Sequence, residues 1–319
     1  MLSGNSHEQA KNRAKMLDEN ATFEQFDLDD IGHVWNWGKP GNPLVILLHG
    51  FMQTGNSWRE VAEMLKTDHW VLAPDLLGHG KTPFSPGETL SLEAYVEQLH
   101  RLVQWAKNQQ PSGVTHSISL VGYSLGGRIA ALFATQYPNE IDALVLESAG
   151  LGPQNEEERA ARAEKTRAMV AKLDESAGQN PESPLEAFID YWQNLPLFAS
   201  QRELSEDIRA RIRAERLANH PAALRANLSD AGQDKMPNLR PALANLNKPV
   251  LYLVGEKDAG YTEIARSLMR VWAEDHDETR LLYTGFVQVN VVPRAGHNIH
   301  LERPEEYALL VSTFLQRAH

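Results

Sequence analysis

The chain has 319 residues, 42% of them apolar, enough to bury a substantial core, and at roughly 150 residues per domain its length fits one large domain carrying an insertion. A net charge of −11 argues against nucleic acid or an anionic membrane as partner, since both need a basic face, and no run approaches the ~18 apolar residues of a membrane span. Zero cysteines exclude disulfides, thiolate metal sites and a cysteine nucleophile, and with an opening MLSGNSHEQAKNRAK that lacks a signal peptide's apolar centre they lead to the expectation of a cytoplasmic protein.

Residues 1–22 read as a polar arm to which the pattern assigns no role. Residues 23–38 alternate in places and end in the turn cluster Gly38-Lys39-Pro40-Gly41-Asn42-Pro43, which predicts an antiparallel hairpin. LVILL at 44–48 has no alternation, the pattern of a strand buried on both faces of a parallel sheet, and His49-Gly50-Phe51 ends it. A short helix follows over 56–66 and a second buried strand over 70–76, ending in DLLGHG. His79 in that turn has no acid placed to orient it and reads as structural. Apolar residues at 92, 95, 96, 99, 102, 103 and 106 mark one face of an amphipathic helix, with Tyr95 and Trp105 as packing residues.

Residues 117–131, SISLVGYSLGGRIAA, carry the strongest local signal. A short apolar strand strikes a sharp turn with Ser124 at its apex, Gly122 and Gly126 two places away on either side, and a helix running on through 137. Such a turn strains its central residue, so a neighbour with a Cβ would collide with strand or helix. It presents a hydroxyl at a helix N-terminus, where free N–H groups favour developing negative charge. A further buried strand is predicted over 141–147. Strand and helix alternation then gives way to charged helical text over 152–235, and resumes with strands at 250–254 and 281–292 and a helix over 304–316. Repeated βα units with an insertion predict an α/β fold with a mostly parallel, doubly wound sheet. The expected divisions are core over 1–151, helical cap over 152–240 and core again over 241–319.

Ligands of such sheets sit at the carboxyl ends of the strands. Gly255-Glu256-Lys257-Asp258 and Ala295-Gly296-His297-Asn298 occupy two of those ends. The chain order Ser124, Asp258, His297 is that of an α/β-hydrolase triad, with His297 as base for the Ser124 proton and Asp258 fixing the imidazole tautomer. The competing readings are Asp258 as a helix cap and His300 as the working histidine. The amides of Phe51 and Leu125 fall where an oxyanion hole is built. No metal site is expected, because His297 and His300 offer two nitrogens and no third ligand is evident.

The chain from about residue 25 resembles the α/β-hydrolase superfamily, and within it the 2-succinyl-6-hydroxy-2,4-cyclohexadiene-1-carboxylate synthases of menaquinone biosynthesis. The resemblance rests on HGFMQTGNSW (49–58), DLLGHGKT (75–82), GYSLGGR (122–128), EEERAAR (156–162), FIDYWQNLPLFAS (188–200), ERLANHPAAL (215–224), GEKD (255–258) and AGHNIHLERP (295–304). It implies a lyase that needs no cofactor and removes pyruvate from a substrate bearing three carboxylates, with Ser124 and His297 acting as a base. An esterase or carbon–carbon bond hydrolase with Ser124 as true nucleophile is the second reading, and a non-catalytic binding protein the third. A small polyanionic substrate calls for guanidinium groups. Arg128, one turn into the Ser124 helix, is placed to reach it, and Arg162 and Arg216 match the family's binding arginines. Tyr123, with Tyr191 or Trp192 from the cap, would form an aromatic wall. The chain departs from the family pattern at Leu77, at 230–236, at Ala259-Gly260-Tyr261, over 278–292 and in its first twenty residues.

Overall fold

The computed structural model describes residues 23–112, 117–275 and 287–318. The expected arm and the 281–286 portion of the last predicted strand therefore lie outside the described residues.

Among the described residues, eight strands form one sheet: β1 (Phe23–Leu28), β2 (Gly32–Trp37), β3 (Leu44–Leu48), β4 (Trp70–Pro74), β5 (Ile118–Tyr123), β6 (Ala143–Glu147), β7 (Val250–Gly255) and β8 (Val287–Val292). Their order is β1-β2-β4-β3-β5-β6-β7-β8. β1 and β2 make the predicted hairpin, β2 runs antiparallel to β4, and β4, β3, β5, β6, β7 and β8 are parallel.

The unbroken apolar runs have a direct cause. Side chains alternate across a strand, and here both faces are covered. Val45 and Leu47 point into one core with Val61 and Leu65 of α1 (Arg59–Leu65), and with Tyr307, Val311 and Phe314 of the last helix. Leu44, Ile46 and Leu48 point into the other, against α2 (Leu92–Gln109) and α3 (Leu125–Gln136), through Leu99, Leu102, Ile129 and Phe133. Every residue of β3 is buried. The predicted helix over 56–66 opens as a 3-10 turn, Gly55–Trp58, before α1 begins. Ser91 caps α2 by accepting from the Ala94 amide.

Between β6 and β7 the chain makes α4 (Glu156–Gln179), α5 (Glu186–Gln193), α6 (Glu206–Leu217), α7 (Pro221–Asp230) and a short α8 (Arg240–Ala244). Asn155 and Ser205 cap α4 and α6, each followed by acidic residues that complement the helix dipole. Only Leu173 and Ser176 of the long α4 are buried, so this helix is a charged lid wall rather than a core element. A small apolar cluster, Leu173, Leu185, Phe188, Ile189 and Leu224, closes on Met52 of the loop after β3 and so fastens the insertion to the sheet. α8 starts at Arg240, the last residue of the expected cap, and Arg240 Nε donates to Ser267 Oγ at 2.6 Å in α9 (Ala259–Asp275). The short α10 (Ile299–Glu302) and α11 (Pro304–Ala318) finish the chain.

A second fastening is titratable. Glu215 of α6 accepts from the Thr54 amide at 2.9 Å and from the Thr54 hydroxyl, joining the insertion to the turn before α1. Burial, reinforced by nearby Asp75 against the two Thr54 bonds, pushes its carboxyl up to about 7. The folded-state value lies above the unfolded value of 4.5, so folding favours the protonated form, and stability falls as pH climbs from 4.5 through about 7. Glu215→Gln keeps an acceptor for Thr54 without the charge. We expect it to raise the thermal midpoint by a few degrees at pH 8, about 1 to 3 kcal/mol, and to change it little at pH 4. Equal shifts at both pH values, read by calorimetry, would show that ionisation of Glu215 is not what the fold resists.

Candidate active site

β5 delivers Ser124 to the rim of the sheet, and α3 leaves from the next residue. Ser124 adopts φ 48° and ψ −103°, a strained conformation for a residue with a side chain. The flanking glycines permit it: a Cβ on Gly122 would lie 2.5 Å from the Gly126 carbonyl oxygen, and one on Gly126 would lie 2.2 Å from the Leu48 carbonyl oxygen. Backbone bonds hold the turn, the Ser124 amide donating to Glu147 O at 2.9 Å and the Gly126 amide to His49 O at 3.0 Å.

Asp258 follows β7 and His297 follows β8, and the parallel register of these strands brings the two loops together. His297 Nδ1 and Asp258 Oδ2 are 2.6 Å apart, both side chains almost fully buried. A carboxylate only accepts, so Nδ1 donates and Nε2 is left as acceptor. Asp258 Oδ1 also accepts from the Tyr261 amide at 3.3 Å, at the start of α9. Asp258 thus makes the contacts that both sequence readings call for, one oxygen to the imidazole and the other to the helix N-terminus. The rings of Tyr261, Tyr123 and Phe198 surround His297 with centroids at 4.6, 5.3 and 5.8 Å.

Ser124 and His297 line one cavity of about 540 Å³ beneath the inserted helices. The Ser124 hydroxyl makes no hydrogen bond of 3.5 Å or less among the described residues, so the serine and histidine share the chamber without a direct bond. Phe51 and Leu125 also line it, and neither amide donates to a group among the described residues. The loop that carries Phe51 is rigidly built. The Gly50 amide donates to Gln53 Oε1 at 2.9 Å, and the Leu76 amide donates to His49 Nε2 at 2.9 Å, which leaves the proton on Nδ1 to reach Gly50 O at 2.8 Å. Burial, then the nearby His79, pushes the His49 imidazole well below its usual range, and so it stays neutral.

The competing histidines are placed elsewhere. His300 Nδ1 pairs with Glu147 Oε2 at 2.8 Å under a stacked Trp58 ring, and it does not line the cavity. His79 is buried with Nδ1 against Leu77 O at 3.0 Å, and burial pushes it down to about 4. Among the described residues no group of three or more His, Cys, Asp or Glu side chains could hold a metal ion, and no helix is long and apolar enough to cross a membrane.

Arg128, Arg162 and Arg216 all reach the cavity. Arg128 is buried, and one of its terminal nitrogens donates to Ala231 O at 2.5 Å. Among the described residues no carboxylate comes within 4 Å of its guanidinium. Burial brings it down to about 10, still cationic at neutral pH. Arg162 donates to Gln233 Oε1 and stands 3.8 Å from Glu158. Arg216 donates to Gln201 Oε1 at 3.1 Å and lies over the Phe198 ring at 5.5 Å.

Tyr123 and Trp192 line the chamber, and Trp192 packs on Phe51 and Phe198 at 5.2 and 5.6 Å. Tyr191 does not. It is 41% exposed, with the Lys172 ammonium over its ring at 5.6 Å. Adjacent helical residues point about 100° apart, and Phe188, Ile189 and Trp192 set the inward stripe of α5. Sequence reasoning missed Gln53, Lys165, Gln233 and Tyr261 as cavity residues. The available signal for the last two was that they fall in segments where the chain departs from the family pattern.

This topology, the strained serine turn and the buried Asp258–His297 pair define a class of enzyme scaffold, and the chain belongs to the alpha/beta hydrolase fold family, whose family model matches residues 43–304. Within that class several of its relatives share a name. A Bacillus subtilis protein, 34% identical over 87% of this chain and 92% of its own length, is provisionally named 2-succinyl-6-hydroxy-2,4-cyclohexadiene-1-carboxylate synthase. The synthase of that name from Escherichia coli O1:K1 is 33% identical over 84% of this chain and 91% of its own. Among solved structures, MenH from S. aureus superimposes with a TM-score of 0.76 at 28% identity, covering 89% of this chain and 98% of its own. The particular family to which the chain belongs is that of these synthases.

Proposed function

We propose that the chain is a cofactor-independent lyase of menaquinone biosynthesis, working in the cytoplasm. It eliminates pyruvate from 2-succinyl-5-enolpyruvyl-6-hydroxy-3-cyclohexene-1-carboxylate to give 2-succinyl-6-hydroxy-2,4-cyclohexadiene-1-carboxylate. The observation that carries this reading is the set of three arginines that line one cavity with Ser124 and His297, with Arg128 buried and unpaired by any carboxylate among the described residues. A substrate with three carboxylates supplies the missing anions; a simple ester does not.

In this reading His297 Nε2 takes the Ser124 proton and the serine oxygen removes a ring proton. The C2–H electron pair forms the C2=C3 bond, the C3=C4 pair shifts to C4=C5, the C5–O bond breaks, and the departing enolate of pyruvate collects a proton on carbon. Asp258 keeps the imidazole in the receptive tautomer and stabilises the imidazolium. The amides of Phe51 and Leu125 would meet the charge that grows on the departing oxygen. No acyl-enzyme forms.

The test is pyruvate release from the enolpyruvyl precursor, generated in place and followed continuously. A rate no greater than spontaneous decay rejects the lyase. The same unpaired amides would serve a nucleophilic serine, so hydrolysis of aryl esters at a comparable rate would favour the esterase instead.

A further inference from the structure

Tyr261 stands at a junction that the proposed reaction leaves without a role. Its amide donates to Asp258 Oδ1 at 3.3 Å, its ring lies 4.6 Å from the His297 ring, and its hydroxyl accepts from Gln233 Nε2 at 3.1 Å. Gln233 is itself oriented, because its Oε1 accepts from the Arg162 guanidinium. That donor fixes which end of the Gln233 amide is oxygen, so the NH₂ must face Tyr261. The chain of bonds runs from cation to amide to phenol, and each member polarises the next. The Tyr261 oxygen is occupied as an acceptor while its own O–H has no acceptor among the described residues. Tyr261, Gln233, Arg128 and Arg162 line the same cavity as Ser124. Burial, opposed by the Gln233 bond, pushes the phenol up, which keeps it a donor.

We infer that Tyr261 is a further substrate-binding residue, its hydroxyl donating to the substrate carboxylate held between Arg128 and Arg162, with Gln233 as the positioning residue that fixes its direction. The inference rests on the lyase reading for the identity of that carboxylate. Arg128 and Arg162 bring charge, but a guanidinium pair alone tolerates several placements of an anion. A third donor from a separate element, rigidly attached to the acid of the Asp258–His297 pair, ties the bound carboxylate to the reacting groups. It selects a substrate whose anionic arm has the length to reach it.

The test compares Tyr261→Phe, Gln233→Leu and the double variant by steady-state pyruvate release. Calorimetric affinity for 2-succinylbenzoate, an aromatic carboxylate carrying the same succinyl arm, provides a measure that needs no turnover. Tyr261→Phe keeps the ring contact with His297 and the amide bond to Asp258. It is expected to raise KM and weaken 2-succinylbenzoate binding about tenfold, with kcat within twofold. Gln233→Leu should raise KM at least as much, and the double variant should be no worse than Gln233→Leu alone, since both act on one bond. An unchanged KM and affinity in Tyr261→Phe overturns the inference. A fall in kcat at constant KM also overturns it and assigns Tyr261 to holding Asp258 and His297. Absence of pyruvate release from the unaltered protein rejects the lyase reading alone, and the 2-succinylbenzoate affinities still decide whether Tyr261 grips this class of anion.

Discussion

Ser124→Ala is expected to lower kcat for pyruvate release by about 10³- to 10⁴-fold, and His297→Ala by a similar factor. In the proposed reaction the two residues share one proton movement. An imidazole whose Nδ1 is committed to Asp258 at 2.6 Å has a single basic nitrogen, and Ser124 lines the same chamber at the apex of the strained turn. The Ser124→Ala/His297→Ala double variant should therefore be scarcely slower than either single one, because groups acting as a unit lose their effect together. Asp258→Asn should cost about 10²- to 10⁴-fold, because an amide NH₂ facing Nδ1 turns the proton onto Nε2 and leaves nothing to receive the serine proton. Single-turnover pyruvate release measures all four. Ser124→Ala retaining more than a tenth of the rate would mean that His297 removes the ring proton itself, and the serine would be left as an orienting hydroxyl. The strained φ of 48° at Ser124 predicts one further asymmetry: relief of strain at a glycine makes Ser124→Gly no less stable than Ser124→Ala, although equally inactive.

How far the sequence revealed this site depends on the kind of physical constraint behind each part. β3, β5, β6 and β7 are fully buried, and a strand with a core on either side leaves an unbroken apolar run that is easy to see. The serine turn is legible because its steric demand falls on two glycines at fixed spacing. Asp258 and His297 are legible because topology alone carries strand ends to one edge of the sheet. The cap obeys no comparable rule. Arg167 and Arg213 pair with Glu164 and Asp190, and Arg159 divides between Glu156 and the Asp234 and Met236 carbonyls, while Arg162 and Arg216, of the same residue type and on the same helices, reach the cavity. With few buried positions on α4, no apolar stripe fixes which way its arginines face. Tyr191 and Trp192 show the same ambiguity at one residue's resolution. The path from Arg162 through Gln233 to Tyr261 joins side chains 71 and 28 residues apart, a contact that no local period can encode.

Arg128→Met should separate binding from folding in opposite directions. The Arg128 guanidinium is buried, meets Ala231 O at 2.5 Å, and has no carboxylate within 4 Å among the described residues. Burial that brings its pKa down to about 10 expresses the cost of holding this cation away from water. A helix facing only other protein would carry methionine or leucine there with no such cost. Removing the charge should therefore leave the thermal midpoint unchanged or raise it. The same change deprives the bound substrate of a desolvated cation, and kcat/KM should fall by about 2 to 4 kcal/mol, roughly 30- to 1,000-fold. Arg162, hydrogen-bonded to Gln233 and near Glu158, already has partners, so Arg162→Met should cost less in kcat/KM. Lysine at position 128 is a poor substitute, because its ammonium cannot form the paired bonds of a guanidinium fork with a carboxylate while also reaching Ala231. Arg128→Met with unaltered kcat/KM would remove the anion clamp from the proposed function. Arg128→Met with a strongly lowered thermal midpoint would instead give the guanidinium a structural duty, through Ala231, in fixing the insertion to α3.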